Sequence, residues 1–227
     1  MTGPPERAPS DRTRLRRKAD RGRYDWAALA EVLDAGLICH VGLVLDAGPV
    51  VIPMAYGRVD RRLFLHGASG NATLRALSSG AEACVSVTLV DGLVLSRSAF
   101  HHSVNYRSAV CFGQAEAVQD EAEKRRALTA IVEHMVPGRS TETRPPSPEE
   151  LRATLVVGFS LVEGSVKVRT GGPLEEAADL GLDHWAGQLP LQLGAGEPIP
   201  DRRDDGALPA VPGYLRQWAE RRSRPSR

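Results

Sequence analysis

The sequence predicts a mainly β fold, a small antiparallel barrel with helices at its periphery. Three observations lead there. About six or seven short runs rich in Val, Leu and Ile follow one another, separated by Gly, Pro, Asp and Asn. Few helical periods interrupt them. Strand and helix do not alternate regularly, and no GxGxxG follows a first strand, which disfavours a doubly wound parallel sheet. Closing such strands into a barrel leaves no exposed sheet edge.

Residues 1–22 are rich in Arg and Pro without an apolar period and read as a flexible or loosely docked arm. Its arginines could touch an anion, although a solvated tail is the plainer reading. Residues 23–215 read as one domain. Asp25–Ala35 predicts a helix with Trp26, Leu29, Val32 and Leu33 on one face. Leu37–Leu45 and Val50–Val59 flank the turn-rich Asp46-Ala47-Gly48-Pro49, and Asp60-Arg61-Arg62 turns the chain into Leu63–His66. A helix follows with Leu74 and Leu77 inward. Cys84–Val90 and Leu93–Phe100 flank Asp91-Gly92, the strongest local hairpin signal in the chain. Tyr106–Val118 is a further strand.

Asp120–Met135 predicts a helix with Leu128, Ile131, Val132 and Met135 as its buried stripe, and with Asp120 and Glu123 as a capping box. Pro137-Gly138 ends it. A loop with Pro145, Pro146 and Pro148 leads to a short helix, and Thr154–Val162 and Ser165–Thr170 extend the sheet. From Gly171 the chain becomes short apolar pieces among Gly and Pro, which suits a tail wrapping the barrel. Residues 216–227 are Arg-rich and read as frayed.

Charge is nearly balanced, at +1, so the whole molecule is not a nucleic-acid binder by composition. No run of about 18 apolar residues marks a membrane span. The N-terminus lacks the apolar core of a signal peptide. Cys39, Cys84 and Cys111 are odd in number and lie among strand residues, as reduced buried thiols do. Together these predict a cytoplasmic protein.

Two stretches carry candidate chemistry. In HGASGNATLRAL, from His66, a small permissive loop joins a strand to a helix, a geometry that aims backbone N–H groups at an anion. Its plain reading is a helix cap with loop glycines. In SAFHHSVNYRSAVCFGQAEAV, from Ser98, polar groups crowd between apolar strand segments, where burial without partners is costly. Alternation places Tyr106 and Ser108 on one face and Arg107 on the other. The same alternation puts Ser165, Lys167 and Arg169 together, as a solvated strand face also would. Pro53, in PMAYG, marks an edge or a kinked strand. No metal-ligand spacing is present.

Taken in order, these motifs resemble the flavin-nucleotide-binding branch of the pyridoxamine 5′-phosphate oxidase-like superfamily, which includes nitroimidazole-resistance-related proteins. The resemblance runs from about Tyr24 to Leu215, through Trp185-Ala186-Gly187 and Val211-Pro212-Gly213-Tyr214-Leu215. It implies an FMN-binding split β-barrel, antiparallel and Greek-key-like, working as a homodimer on a small-molecule substrate, without nucleic acid or membrane. It implies that His66, Gly67, Ala68, Ser69, Gly70, Asn71 and Thr73 surround the FMN phosphate. Pro53, Met54 and Tyr56 would lie along the flavin ring. Tyr106, Arg107 and Ser108 would border the pocket, with Lys167 and Arg169 as cations near the flavin's polar edge or phosphate. His66, His102 and Tyr106 are the candidate proton-transfer groups. The Arg/Lys-rich phosphate strand and the C-terminal substrate-phosphate motif of the vitamin B6 oxidase are not found, so that activity is not expected. A flavin-dependent oxidoreductase is the first reading; a non-catalytic flavin-binding or sensing protein and a haem-binding split barrel are the alternatives.

Overall fold

Short apolar strands can bury both ends of their hydrogen-bonding ladder only by closing on themselves, and this chain does so. A computed structural model describes residues 7–202 and 206–223. In chain order its elements are β1 (Gly22–Arg23), α1 (Trp26–Ala35), β2 (Ile38–Leu45), β3 (Gly48–Val59), β4 (Arg62–Ala68), α2 (Ala72–Ser78), β5 (Glu82–Leu95) and β6 (Ser103–Ala117). There follow α3 (Glu121–Met135), α4 (Pro148–Ala153), β7 (Thr154–Ser160), β8 (Gly164–Arg169), β9 (Gly187–Pro190) and α5 (Gly213–Ser223). The strands run in the order β6-β7-β4-β3-β2-β5, and pairing of β5 with β6 closes the ring. β8 and β1 extend the sheet from β6, and β9 extends it from β5. No helix among the described residues is long and apolar enough to cross a membrane.

Two strands turn the corners. β3 pairs with β2 up to Ala55 and with β4 from Tyr56 onward. β6 pairs with β8 between Tyr106 and Cys111 and with β7 between Ala115 and Ala117. The barrel interior holds Val41, Leu63, Leu65, Val85, Ala109, Cys111, Val157 and Phe159, closed at its ends by Leu29, Val32 and Leu33 of α1 and by Leu74 and Leu77 of α2. A second apolar layer, with Phe64, Val156, Ala127 and Ile131, lies under α3. Cys39 and Cys111 are buried free thiols, both pushed up to about 12 by desolvation.

Helix starts follow their caps. Asp25 accepts from Ala28 N at 2.8 Å, and Ser147 forms a reciprocal capping box with Glu150. The box expected at Asp120 is only half formed. Asp120 accepts from Glu123 N, but the Glu123 carboxylate is drawn away to Arg62. The buried stripe of α3 also differs from the expected one. It centres on Ala127 and Ile131, and Met135 is exposed, because Gly57 lets the helix lie directly on β3.

Asp91-Gly92 is not a hairpin turn. β5 continues through it, with a register irregularity between Val90 and Gly92. Three tertiary contacts outweigh the local turn preference. Arg107 on β6 clamps the Asp91 carboxylate through two hydrogen bonds, at 2.9 and 3.1 Å. The Asp91 carbonyl accepts from Leu191 N, and β9 passes so close that a Cβ on Gly92 would lie 3.0 Å from the Leu189 carbonyl oxygen. The reversal occurs later, around Ser96–His102, where Glu175 accepts from Ser96, Arg97 N and the Arg97 guanidinium.

The arm is docked on the barrel, one of its two expected forms, while the C-terminal segment departs from its expected fraying. Within the arm, Arg12 donates to Glu163 and Glu82 and lies over the Phe112 ring, Thr13 is buried, and β1 pairs with β8. At the other end, α5 is a helix rather than a frayed tail. Tyr214 donates to Glu142, and Arg222 donates to the Ala35 carbonyl. Residues 1–6 and 224–227 lie outside the described residues.

Two glycines on β3 and β2 separate close packing from mere strand propensity. A Cβ on Gly57 would meet the α3 backbone at 2.5 Å, whereas one on Gly42 meets nothing nearer than 3.8 Å. Gly57→Ala is expected to cost about 3 kcal/mol in urea unfolding. Gly42→Ala is expected to change stability by less than about 1 kcal/mol.

Candidate functional site

Strand alternation sends Met54 and Tyr56 inward and leaves Pro53 and Ala55 on the outside of the barrel. The outward residues align across strands. One continuous row runs Pro53, His40, Ser86, Val110, Ser165 through β3, β2, β5, β6 and β8. Toward one end of the sheet Thr88, Ser108 and Lys167 share a row, followed by Val90, Tyr106 and Arg169. Toward the other end lie Val51, Gly42, Cys84 and Phe112. These last four border an open cleft of about 610 Å³, with Arg12 at its rim.

This outer face is a broad sheet surface of apolar and hydroxyl side chains with little charge. Val51 is 66% exposed, Val90 49% and Ile38 46%. These exposed apolar residues lie in different rows of the face, with His40, Ser86 and Thr88 in the rows between Val51 and Val90. His40 stands exposed at its centre. The sequence reading passed over His40, yet alternation within β2 was enough to find it, since Cys39 and Val41 on either side are core residues.

His66 lies half-buried near the end of β4, opposite Val156. Its Nδ1 is buried with no hydrogen-bond partner among the described residues, and burial lowers its pKa, so the imidazole is neutral near pH 7. The loop after it has explicit structural work. A Cβ on Gly67 would approach the Leu74 side chain to 2.8 Å, so this glycine admits α2 against the barrel. Asn71 Oδ1 accepts from Leu74 N at 3.0 Å and is the helix cap, and Ser69 N donates to the Ala153 carbonyl. Thr73 is buried, while Ala68, Ser69, Gly70 and Asn71 are exposed. The cap role expected as the plain reading thus falls to Asn71.

Several sequence candidates are spoken for by the fold. Tyr56 is wholly buried, and its hydroxyl donates to the carbonyls of Leu33 and Gly36 at the end of α1, so its side chain belongs to the core. Met54 packs against the same core. Arg107 is neutralised by Asp91, with Glu31 at 3.5 Å, and pins β5 to β6. His102 holds its Nδ1 3.1 Å from the Ser98 carbonyl within the turn between β5 and β6. Pro53, Tyr106, Ser108 and Lys167 remain together on the outer face. Arg169 ends β8, the strand of Lys167, is buried, and donates to Asn105, Gly171 and Gly172.

His134 is a second neutral histidine. Its Nε2 lies 2.7 Å from the Gly36 carbonyl, its ring sits 4.4 Å from Tyr56, and burial lowers its pKa. A histidine whose folded pKa lies below its unfolded value of 6.5 supplies stability at higher pH. That stability is lost as pH falls through 6.5, because the unfolded chain takes up the proton first. The depressed carboxylates Glu150 and Glu163 add their loss only below 4.5. Lowering pH from about 7.5 to about 5.5 is therefore expected to reduce the urea midpoint. His66→Leu and His134→Leu should each flatten that slope.

The sequence pattern of the family described as pyridoxamine 5′-phosphate oxidase matches residues 25–168. No curated protein matches the chain by sequence. Among solved structures, a flavocytochrome of Azotobacter vinelandii is 36% identical, with a TM-score of 0.87, covering 93% of this chain and 98% of its own. An FAD- and haem-binding protein of Mycobacterium smegmatis is 36% identical, with a TM-score of 0.82, covering 88% and 97%. A protein of Bacteroides thetaiotaomicron, described as a candidate 5-nitroimidazole antibiotic resistance protein, is 25% identical, with a TM-score of 0.55, covering 65% and 86%. With a family pattern spanning more than half of its length and two such relatives along nearly all of it, this chain belongs to the pyridoxamine 5′-phosphate oxidase family, as a split-barrel member.

Proposed function

We propose that this protein is a flavoprotein that holds a flavin nucleotide against the outer sheet face and uses it for a redox step on a small molecule. The observation that carries this reading is the face itself. Five strands align mostly apolar and hydroxyl side chains in rows, with two cations, Lys167 and Arg169, on the edge strand β8. A planar, apolar ring with a polar rim suits such a surface. The sequence resemblance points to FMN. The two relatives of 36% identity, one named a flavocytochrome and the other an FAD- and haem-binding protein, support a flavin and bring FAD into the reading.

A bound flavin would supply the electron transfer, and the chain would supply orientation and electrostatics. The Lys167 ammonium favours negative charge on the ring edge nearest it. The hydroxyls of Thr88, Ser108 and Tyr106 offer hydrogen bonds along the same rows. Exposed apolar residues on this face also favour its coverage by a second copy, giving a homodimer with two equivalent sites. The three unpaired thiols fit a cytoplasmic protein.

Haem is the second reading, and one observation favours it. His66 is neutral, half-buried and has a ring nitrogen with no partner among the described residues, the state an iron ligand requires. Absorbance and mass spectrometry of the purified protein test both. Paired near-ultraviolet and blue bands with released FMN or FAD are expected. A Soret band that disappears in His66→Ala while flavin stays bound supports the haem reading. Protein without any chromophore, which also fails to take up added FMN or FAD, sinks the proposal. Light scattering is expected to give a dimer at micromolar concentration, and a flavin-loaded monomer would rule out the shared interface.

A further inference from the structure

The docked N-terminal arm places a concentration of positive charge beside the outer face. Between Arg16 and Arg23 there are five cations, Arg16, Arg17, Lys18, Arg21 and Arg23, against one acid, Asp20. Arg12 and Arg14 are matched by carboxylates, but none of these five forms an ion pair among the described residues. Neither does Lys167 or Arg169 among those residues.

The fold brings the arm onto β8, the strand that carries Lys167 and Arg169. Gly22 pairs with Lys167 in the β1–β8 ladder. The Lys167 ammonium donates to the Arg17 carbonyl at 3.2 Å, and Arg21 N closes a turn onto the Lys18 carbonyl at 3.1 Å. Arg169 is only 5% exposed, its partners are all neutral oxygens, and its Nε is buried with no hydrogen-bond partner among the described residues. Burial first, and then the nearby Arg21, oppose its charge. A buried guanidinium without a counter-charge, beside further unmatched cations, is unfavourable until an anion arrives. The donors available are guanidinium groups, an ammonium and the Tyr106 hydroxyl, which together match the several oxygens of a phosphate.

We propose that Arg17 and Arg21 of the N-terminal arm, together with Lys167 and Arg169, form a binding site for the phosphate or pyrophosphate group of a nucleotide. The arm is then a part of the site rather than a solvated leader. It adds two cations to the two that β8 already carries. The phosphate has two possible sources, the flavin nucleotide itself or a separate nucleotide that delivers electrons to it. The choice of source rests on the flavin reading above, while the site does not.

The test compares the protein as purified with an Arg17→Ala/Arg21→Ala double variant. Both side chains lie away from the core, and the Arg17 carbonyl that Lys167 needs is retained, so unchanged thermal unfolding is expected. Inorganic pyrophosphate is the first probe, followed by isothermal calorimetry at low and high salt. If a second nucleotide is the source, pyrophosphate binds the purified protein and the variant loses at least about tenfold in affinity. If the flavin nucleotide is the source, pyrophosphate is excluded, and the variant loses about tenfold in affinity for FMN or FAD but not for riboflavin. Either result supports the site. Affinities for pyrophosphate, FMN, FAD and riboflavin that all stay within about twofold of the unmutated protein overturn it. Pyrophosphate binding that depends on the two arginines, in a protein that takes up no flavin, keeps this site and removes only the flavin reading.

Discussion

The backbone pairing of β5 with β6, from Glu82 opposite Gln114 to Val94 opposite Ser103, is the interaction on which the other parts depend. It closes the ring of strands, and a closed ring leaves no ladder unpaired between its members. It also sets which side chains face out. Ser86 opposite Val110 and Thr88 opposite Ser108 are the central cells of the outer surface, and a slip of one residue would turn the core residues Val85, Val87, Ala109 and Cys111 outward. The Asp91–Arg107 pair guards this register at the one point where the ladder is irregular. A half-buried, doubly hydrogen-bonded pair between neighbouring strands is the kind of ion pair that contributes to stability, unlike the exposed Arg152–Glu149 pair on α4.

The end of α1 shows a second constraint. A helix leaves its last carbonyls without intrahelical partners. Here these carbonyls are answered from three distant elements. Tyr56 of β3 donates to Leu33 and Gly36, His134 of α3 meets Gly36, and Arg222 of α5 reaches Ala35. The barrel, its covering helix and the C-terminal helix are thus joined at one helix terminus. This is why Tyr56, in a strand that resembles a flavin-lining segment, belongs to the core.

The outer face and the arm meet at β8. Lys167 belongs to the rows of the sheet and at the same time holds the Arg17 carbonyl. Arg169, two residues on, is drawn inward to Asn105, whose amide in turn donates to Gln188 of β9. A single strand therefore links the arm, the candidate surface and the C-terminal strap. The strap's course across β5 is fixed by the same group of residues that orients the cation.

The sequence by itself determined the antiparallel β class, the helix at Asp25–Ala35, the burial of Cys39 and Cys111 though not of the half-buried Cys84, and the shared face of Tyr106 and Ser108. Each follows from local alternation, a cap residue or apolar clustering, properties that neighbours in the chain decide. Tertiary structure alone decided the rest. Asp91-Gly92 has the composition of a turn but runs as strand, because Arg107 and β9 hold it from outside its own segment. Asn71 has the chemistry of a ligand donor but serves as a cap, because α2 begins there. The N-terminal arginines read as a solvated tail, since nothing in a linear sequence tells that β1 will pair with a strand some 145 positions later, where Gly22 meets Lys167. Side-chain direction is a local property and was legible; the partner that a side chain meets is set by chain closure over long separations, and only the folded molecule contains it.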